Sequence, residues 1–252
     1  DKAHEEFYYQ MQAAYQRILA ELGLGAITYL TFASGGAFSK YSHEFQTISP
    51  AGEDSIYVSA ERKIAVNAEV LNPEVLEELG LNKDELQPQT GIEVGNIFHL
   101  GTRFSEALGL IFKTETGETR PVIMGSYGLG PTRLLGTVAE VLADEHGLVW
   151  PRAIAPFTVH LVSLGGGAKT EAILAAAASS YQQLEQAGIS VLWDDREVSA
   201  GEKFADSDLL GLPYRLVIGE KGLAAGAWEV KNRQTGEVKN LTTEAFIQFL
   251  HD

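Results

Sequence analysis

Cysteine is absent from the 252-residue chain, and methionine and tryptophan are scarce, with two and three residues. Without cysteine there is no disulfide framework and no thiolate nucleophile or thiolate metal site. The absence also lends no support to a secreted origin. No run approaches the roughly 18 apolar residues of a membrane-spanning helix. No basic segment leads into an apolar one at the N-terminus, as a signal peptide would require. A cytoplasmic protein with no membrane partner is therefore expected. The opening "DKAHEEFYYQ" has no initiator methionine and reads as a cut or processed chain. Positive charge is also in short supply. The formal net charge is −15, and both parts of the chain share it: residues 1–154 carry 11 Lys/Arg against 21 Asp/Glu, and residues 155–252 carry 8 against 13. Non-specific nucleic-acid binding is disfavoured, so any RNA contact must come from a local patch.

Apolar residues make up 45% of the chain, enough for one large domain or two ordinary ones. Phe7, Met11, Tyr15, Ile18 and Leu22 recur at steps of three and four, which predicts an amphipathic helix ending near Gly23. "AITYLTF", "GEDSIYVS", "IEVGNIFHLG" and "RPVIMGSYG" read as strands, and "TGET" as a hairpin turn. "NPEVLEELG" is a short helix with Pro73 at its start. "NKDELQPQTG" reads as a polar surface connection, and "PTRLLGTVAEVLADEHG" as a helix. The strands alternate without a regular βαβ series, so residues 1–150 are expected to be an α+β domain built on an antiparallel sheet. "WPRAIAP" at 150–156 carries two prolines and predicts the linker at 151–156. Residues 157–252 then alternate strand, helix, strand, helix, strand, which predicts a small α/β domain. A hairpin over "AWEVKNRQTGEVKNL" and a final helix capped by Thr242 or Thr243 complete it.

Four stretches carry candidate chemistry. In "PVIMGSYGLGPTRLLG", Gly128 and Gly130 let a flat ligand approach the backbone, and Arg133 falls near a helix start. A cation there opposes the helix dipole, so a phosphate partner competes with a packing or salt-bridge role. The segment is neither a Walker loop nor a dinucleotide fingerprint. In "SGGAFSKYSHEF", His43 and Glu44 point to opposite faces if the segment is a strand, so they form no metal pair and no metal site is expected. His43 is a candidate partner for a small ligand, against a structural histidine at a strand edge. In "HLGTRFSEALG", Thr102 offers a hydroxyl beside Gly101. Glu93 and Glu106 are possible magnesium or amine partners, against a solvated face. In "LWDDREVSAGEKFADSDLLGLP", Asp194, Asp195, Arg196 and Lys203 suit base-edge hydrogen bonding, against a solvated acidic loop.

Taken together and in order, these stretches resemble the bacterial type of prolyl-tRNA synthetase, a class II aminoacyl-tRNA synthetase, over almost the whole chain. "GGAFSKYSHEF" is similar to the family's glycine stretch leading into Ser-His-Glu-Phe. "EVGNIFHLGTRFSEALG" is similar to its Glu-Val-Gly strand and the segment after it. "MGSYGLGPTR" resembles motif 3, "GLVWPRAIAPFTVHL" the crossing into the anticodon domain, and "DDREVSAGEKFADSDLLGLP" the signature of that domain. The resemblance implies that Arg133 holds the terminal phosphate of ATP, with Gly128 and Gly130 lining the nucleotide pocket. It places His43, Gly125 and Ser126 at the proline substrate and Thr102 near the adenylate. Asp194, Asp195, Arg196 and Lys203 fall in the tRNA-binding region. ATP, Mg2+, L-proline and tRNA(Pro) are the implied cofactors and partners, with a homodimer in the complete protein.

The departures are as informative. Motifs 1 and 2, which build the family's dimer and supply its α-phosphate arginine, do not appear. The editing insertion between "NAEV" and "EVGNIF" is replaced by a short segment. Residues in excess of the family pattern precede "SHEF". The chain alone is therefore expected to be inactive, and a second polypeptide carrying the missing motifs is a possible partner. The rival reading is a non-catalytic, synthetase-like tRNA-binding or accessory protein.

Overall fold

The structure is a computed structural model and describes residues 2–165 and 167–251. The chain divides into two compact units, Asp1–Val141 and Leu142–Asp252. Residues 142–150, placed in the first domain by the sequence reading, thus group with the second unit.

The first unit opens with helix α1 (Lys2–Glu21), followed by strands β1 (Thr28–Ser34), β2 (Tyr41–Ile48), β3 (Asp54–Ser59) and β4 (Ile64–Asn67). Helix α2 (Pro73–Leu79), the long strand β5 (Gln87–Gly101) and helix α3 (Arg103–Leu108) come next. The hairpin β6 (Ile111–Lys113) and β7 (Thr119–Pro121), strand β8 (Met124–Leu129) and helix α4 (Pro131–Leu142) complete it. The sheet order is β2-β1-β4-β3-β5-β8, with a further β2–β5 pairing, so the ladder closes on itself through β5, β2, β1, β4 and β3. All of its pairings are antiparallel except β1 with β4. Tyr29, Ile56, Val58 and Ala65 pack together on this curved sheet, and Val66, Val75, Leu76, Leu81 and Leu86 seat α2 against it. Helix α2 begins as its sequence dictates: Asn72 accepts from the Val75 amide, Pro73 needs no donor partner, and Gly80 ends the helix at φ 62°.

Two local expectations shift. The polar connection read over residues 82–91 is in part the start of β5, since Gln87–Gly91 pairs with β3. Pairing, rather than side-chain polarity, makes that strand. Helix α1 buries Tyr8, Tyr15 and Leu19, while Phe7 and Ile18 of the predicted stripe are exposed. Three consecutive aromatics, Phe7, Tyr8 and Tyr9, leave the helical phase open by one residue. Tyr8 can also hydrogen-bond, through its hydroxyl, to the sheet beneath.

The second unit contains β9 (Val159–Ser163), α5 (Thr170–Gln186), β10 (Val191–Asp194), α6 (Ala200–Leu210) and β11 (Tyr214–Ile218). It ends with α7 (Glu220–Ala225), β12 (Trp228–Asn232), β13 (Val238–Leu241) and α8 (Thr243–His251). The sheet order is β10-β9-β11-β12-β13, parallel through the first three strands and antiparallel after them. Val159, Leu161, Leu216 and Ile218 meet Ile173, Leu184 and Phe246 in one core. Thr242 caps α8 through the Ala245 amide, while Thr243 is buried against Ser180. The whole is an α+β sheet unit followed by a smaller α/β unit, as the sequence predicts.

Candidate functional site

Strand register sorts the candidate residues onto two faces of the first unit's sheet. Side chains alternate along a strand, and directly paired residues share a face. His43 pairs with Ile97 and Phe32, and Ile97 with Tyr127. Gly125 pairs with His99 and lies on this same side. Glu44 pairs with Asn96, Asn96 with Gly128, and Phe98 with Ser126, which fixes the other face. A bulge between Phe45 and Gln46 brings Glu93 opposite Gln46 on that second face.

Helix α1 covers the first face. Tyr8 Oη lies 2.8 Å from His43 Nδ1 and donates to the Ile97 carbonyl at 3.1 Å. The Tyr8 ring stacks on His99 at 3.8 Å, and His4 Nε2 lies 2.9 Å from His99 Nδ1. Burial, and secondarily His99, pull the His43 imidazole down to about 4. Burial also lowers His99 and raises the Tyr8 phenol. A side chain at Gly125 would meet Tyr127 Oη at 2.6 Å and His4 at 2.9 Å, so this glycine is a packing requirement of the covered face. His43 and Gly125, both expected at the proline substrate, lie together on this covered face. His43 sits beneath α1, on the face opposite Ser126 and Gly128, because β2 turns alternate residues to opposite sides.

The second face gathers polar groups. Gln46 is fully buried and donates to Glu44 Oε2 at 3.0 Å and to Asp54 Oδ2 at 2.6 Å. Burial first, then Glu93 and Asp54, push the Glu44 carboxyl up to about 7. Asn96 Nδ2 donates to Glu93 Oε1 at 2.7 Å. A side chain at Gly128 would meet Asn96 Oδ1 at 2.7 Å, so only glycine leaves that surface flat. Gly130 precedes α4, and Arg133 lies in the first turn of that helix. The Arg133 guanidinium donates to the Glu93 carbonyl at 3.0 Å and lies 3.8 Å from Glu93 Oε2. More than half of its side chain remains exposed, so it stays free to meet an anion. Two openings, of about 280 and 220 Å³, share Glu93 and Arg133; the smaller is also lined by Gly128 and Gly130.

Glu44 is the residue of this face that the sequence reading set aside. The alternation of "SHEF" gave its direction relative to His43. Which of the two faces stays open depends on where α1 packs. Thr102 precedes α3 at the end of β5, and its hydroxyl donates to Glu106 Oε1 at 2.6 Å. Glu106 is thus held by Thr102 and stands apart from the Glu93 group. Among the described residues, no three His, Cys, Asp or Glu side chains converge as a metal cage.

In the second unit, Asp194 and Lys203 are buried. Lys203 Nζ donates to the Ser163 carbonyl at 2.8 Å and the Asp194 carbonyl at 3.0 Å. Asp194 accepts from Arg196 Nε at 2.9 Å and Nη2 at 2.7 Å, and Arg196 also reaches Asp206 at 2.7 Å. The arginine first, with Lys203 as a weaker cause, holds the Asp194 carboxyl below its ordinary range. The Asp194 carboxylate is therefore satisfied by Arg196 and the Lys203 ammonium by two backbone carbonyls, while Asp195 and Arg196 are exposed at the surface. Beside them lies a cavity of about 370 Å³ lined by His160, Leu192, Trp193, Arg196, Leu209 and Leu210, among others.

Comparison with known proteins places both units. Residues 1–142 match the family described as tRNA synthetase class II core domain (G, H, P, S and T), and residues 154–252 match the anticodon binding domain. A proline–tRNA ligase of Methylobacterium sp. (strain 4-46) is 38% identical over 265 residues, covering 94% of this chain and 59% of the relative. One from Parvibaculum lavamentivorans is also 38% identical, over 95% of this chain and 60% of its own length. One from Maricaulis maris is 35% identical over 275 residues, 99% of this chain and 61% of the relative. The chain thus spans about three fifths of the length of the curated relatives it matches. No helix among the described residues is long and apolar enough to cross a membrane. With both units matched in order and the relatives alike in name, the chain belongs to the class II aminoacyl-tRNA synthetases, in their prolyl-tRNA synthetase family.

Proposed function

We propose that the open face of the first unit is the nucleotide and amino-acid side of a proline-activating site, which makes prolyl-adenylate from ATP and L-proline and passes the prolyl group to tRNA(Pro). The observation that carries this reading is the grouping of Arg133, Gly128, Ser126, Asn96, Glu93 and Glu44 on one sheet face. Activation is an in-line attack by the proline carboxylate on the α-phosphorus of ATP, with pyrophosphate leaving. It needs positioning and charge stabilisation rather than a protein nucleophile. Arg133 holds the terminal phosphate. Gly128 leaves room for the flat adenine and the backbone of the adenylate. The small side chain of Ser126 makes space for the pyrrolidine ring. Glu44 accepts from the secondary ammonium of proline, which has two N–H donors and a single positive charge.

Mg2+ fits this donor set, since the ion is usually held by one or two carboxylates together with substrate phosphates rather than by an all-protein cage. Glu93 is the carboxylate to hold it, and the ion would neutralise phosphate charge. In the second unit, exposed Asp195 and Arg196 meet unpaired nucleotides, while Asp194 and Lys203 fix the loop that presents them. A homodimer, and a partner segment bearing the cation for the α-phosphate, belong to the same proposal.

The test is proline-dependent exchange of pyrophosphate into ATP in the protein that carries this chain. Arg133→Ala is expected to lower exchange about a hundredfold. Exchange at the parent rate removes Arg133 from the site. No exchange at all in the parent, with pure protein and magnesium present, removes the enzyme reading.

A further inference from the structure

Beneath the open face lies a polar side chain that a substrate there cannot touch. Gln46 of β2 is fully buried and lines neither of the openings shared by Glu93 and Arg133. Its Nε2 donates to Glu44 Oε2 at 3.0 Å and to Asp54 Oδ2 at 2.6 Å, one N–H for each carboxyl group. With the nitrogen so committed, Oε1 is turned away and meets no donor among the described residues. It stands against Gly91 of β5, where a side chain would begin 2.8 Å from it. Gly91 thus leaves the space that the amide occupies. Glu44 has one further hold, a hydrogen bond with the side chain of Asn67 at the end of β4. The charged groups around it are Asp54 and Glu93, the latter beside Arg133. Packing alone does not account for a glutamine at this position. A buried acceptor without a donor costs stability, and methionine has a similar length with no such atom. What methionine lacks is a donor for two neighbouring carboxyl groups.

We propose that Gln46 is a positioning residue of the proline site: its amide holds the Glu44 carboxyl where the secondary ammonium of proline arrives, and spaces it from Asp54. Gln46 acts through Glu44 and touches no reacting atom. Two acceptors on one planar amide fix the angle between the carboxyl groups. Without it, Glu44 regains side-chain freedom that proline binding must then remove. The donor type matters as well. A lysine or arginine here would pair with Glu44 and compete with the ammonium of the substrate. An amide orients the carboxyl group and leaves its charge available. The inference rests on the reading of Glu44 as the acceptor for the proline ammonium, and names the residue that makes it one.

The experiment titrates the 252-residue chain with L-proline, and separately with ATP and magnesium, by calorimetry. Gln46→Met removes the amide and keeps the length of the side chain. Gly91→Ala keeps the amide and crowds its Oε1. Each is expected to weaken proline about fivefold or more and to leave ATP unchanged, because ATP does not use Glu44. A sheet that is merely loosened loses both ligands alike. In the parent chain labelled with nitrogen-15, proline is expected to shift the side-chain amide resonances of Gln46, and ATP to leave them in place. If Gln46→Met fails to fold, Gly91→Ala and this NMR measurement carry the test. Parent-like proline affinity in the folded variants, equal loss of proline and ATP, or Gln46 resonances unmoved by bound proline overturns the positioning role. Glu44→Gln separates the two levels. Proline binding that depends on Glu44 and ignores Gln46 rejects the positioning role alone. A parent chain that does not bind proline, or binds it as well with Glu44→Gln, rejects the reading beneath it and the positioning role with it.

Discussion

Glu44 shows how one side chain joins burial to chemistry. Its carboxyl is pushed up to about 7 by burial, and then by the neighbouring Glu93 and Asp54. The folded pKa lies above the ordinary carboxylate value, so folding takes up a proton. The cost to stability is absent below about pH 4 and grows as pH rises toward 7. A bound secondary ammonium reverses that preference, because an opposite charge favours the carboxylate. Proline binding is therefore expected to release a proton from Glu44 near pH 6, and its affinity to rise with pH up to about 7 and level off above. His43 titrates about three units lower and leaves this window clear. Calorimetric titration of proline in buffers of different ionisation enthalpy measures the proton count. Glu44→Gln should abolish the release. An unchanged release in that variant assigns the proton to another group and ends the role given to Glu44.

At the scale of elements, buried charge ties strands to helices. Lys203 of α6 reaches the ends of both β9 and β10 through the Ser163 and Asp194 carbonyls, and lies 3.8 Å from the Asp194 carboxylate. Removing one partner of such a group leaves two buried carbonyls and part of a carboxylate unsatisfied. Lys203→Ala is expected to destabilise the second unit by about 3–5 kcal/mol, read as a lower urea midpoint. A loss within the range of a surface substitution would show that water replaces the ammonium. The helix start at "GEKFADSDLLG" was legible in the sequence, and the structure caps it with Ser199, which accepts from the Glu202 amide. The inward direction of Lys203 was not, because lysine is almost always exposed and only three-dimensional pairing makes its burial tolerable. The one-residue phase error on α1 has the same origin. Periodicity fixes that a stripe exists, and the hydrogen-bonding partner on the sheet fixes which stripe.

At the scale of the molecule, the second unit begins earlier than its prolines suggest. Arg233, almost fully buried, makes two hydrogen bonds of 2.6 Å to Asp144. The Leu148 amide donates to Leu209, and the Trp150 amide to Gly211. The Asp144 carboxyl is held well below its ordinary range, first by Arg233. That contribution is present above the usual carboxylate range and lost as pH falls through the folded value. Residues 142–252 expressed alone are expected to unfold cooperatively, around the core of Leu161, Ile173, Leu216 and Phe246. Residues 154–252, without this strap, should melt at a temperature lower by at least a few degrees. Equal melting temperatures would place the boundary at the prolines after all.

Composition excluded disulfides and thiolate chemistry, and ordered motifs brought out the family, because residue type and spacing along the chain are enough for both. The two fold classes followed from strand and helix alternation, which is a local property. The choice of face was different. "SHEF" says that His43 and Glu44 oppose one another, but a strand has no inside until something packs on it. Helix α1 settles the matter by covering His43 through Tyr8, and so leaves Glu44 with Ser126, Gly128 and Arg133. Likewise, "DDREVSAGEKF" placed four polar residues together, and only the packing of α6 turned Asp194 and Lys203 inward while Asp195 and Arg196 stayed out. Local sequence determines periodicity and order. Burial is a relation between segments distant in the chain, so the side that each residue faces was decided by the tertiary structure.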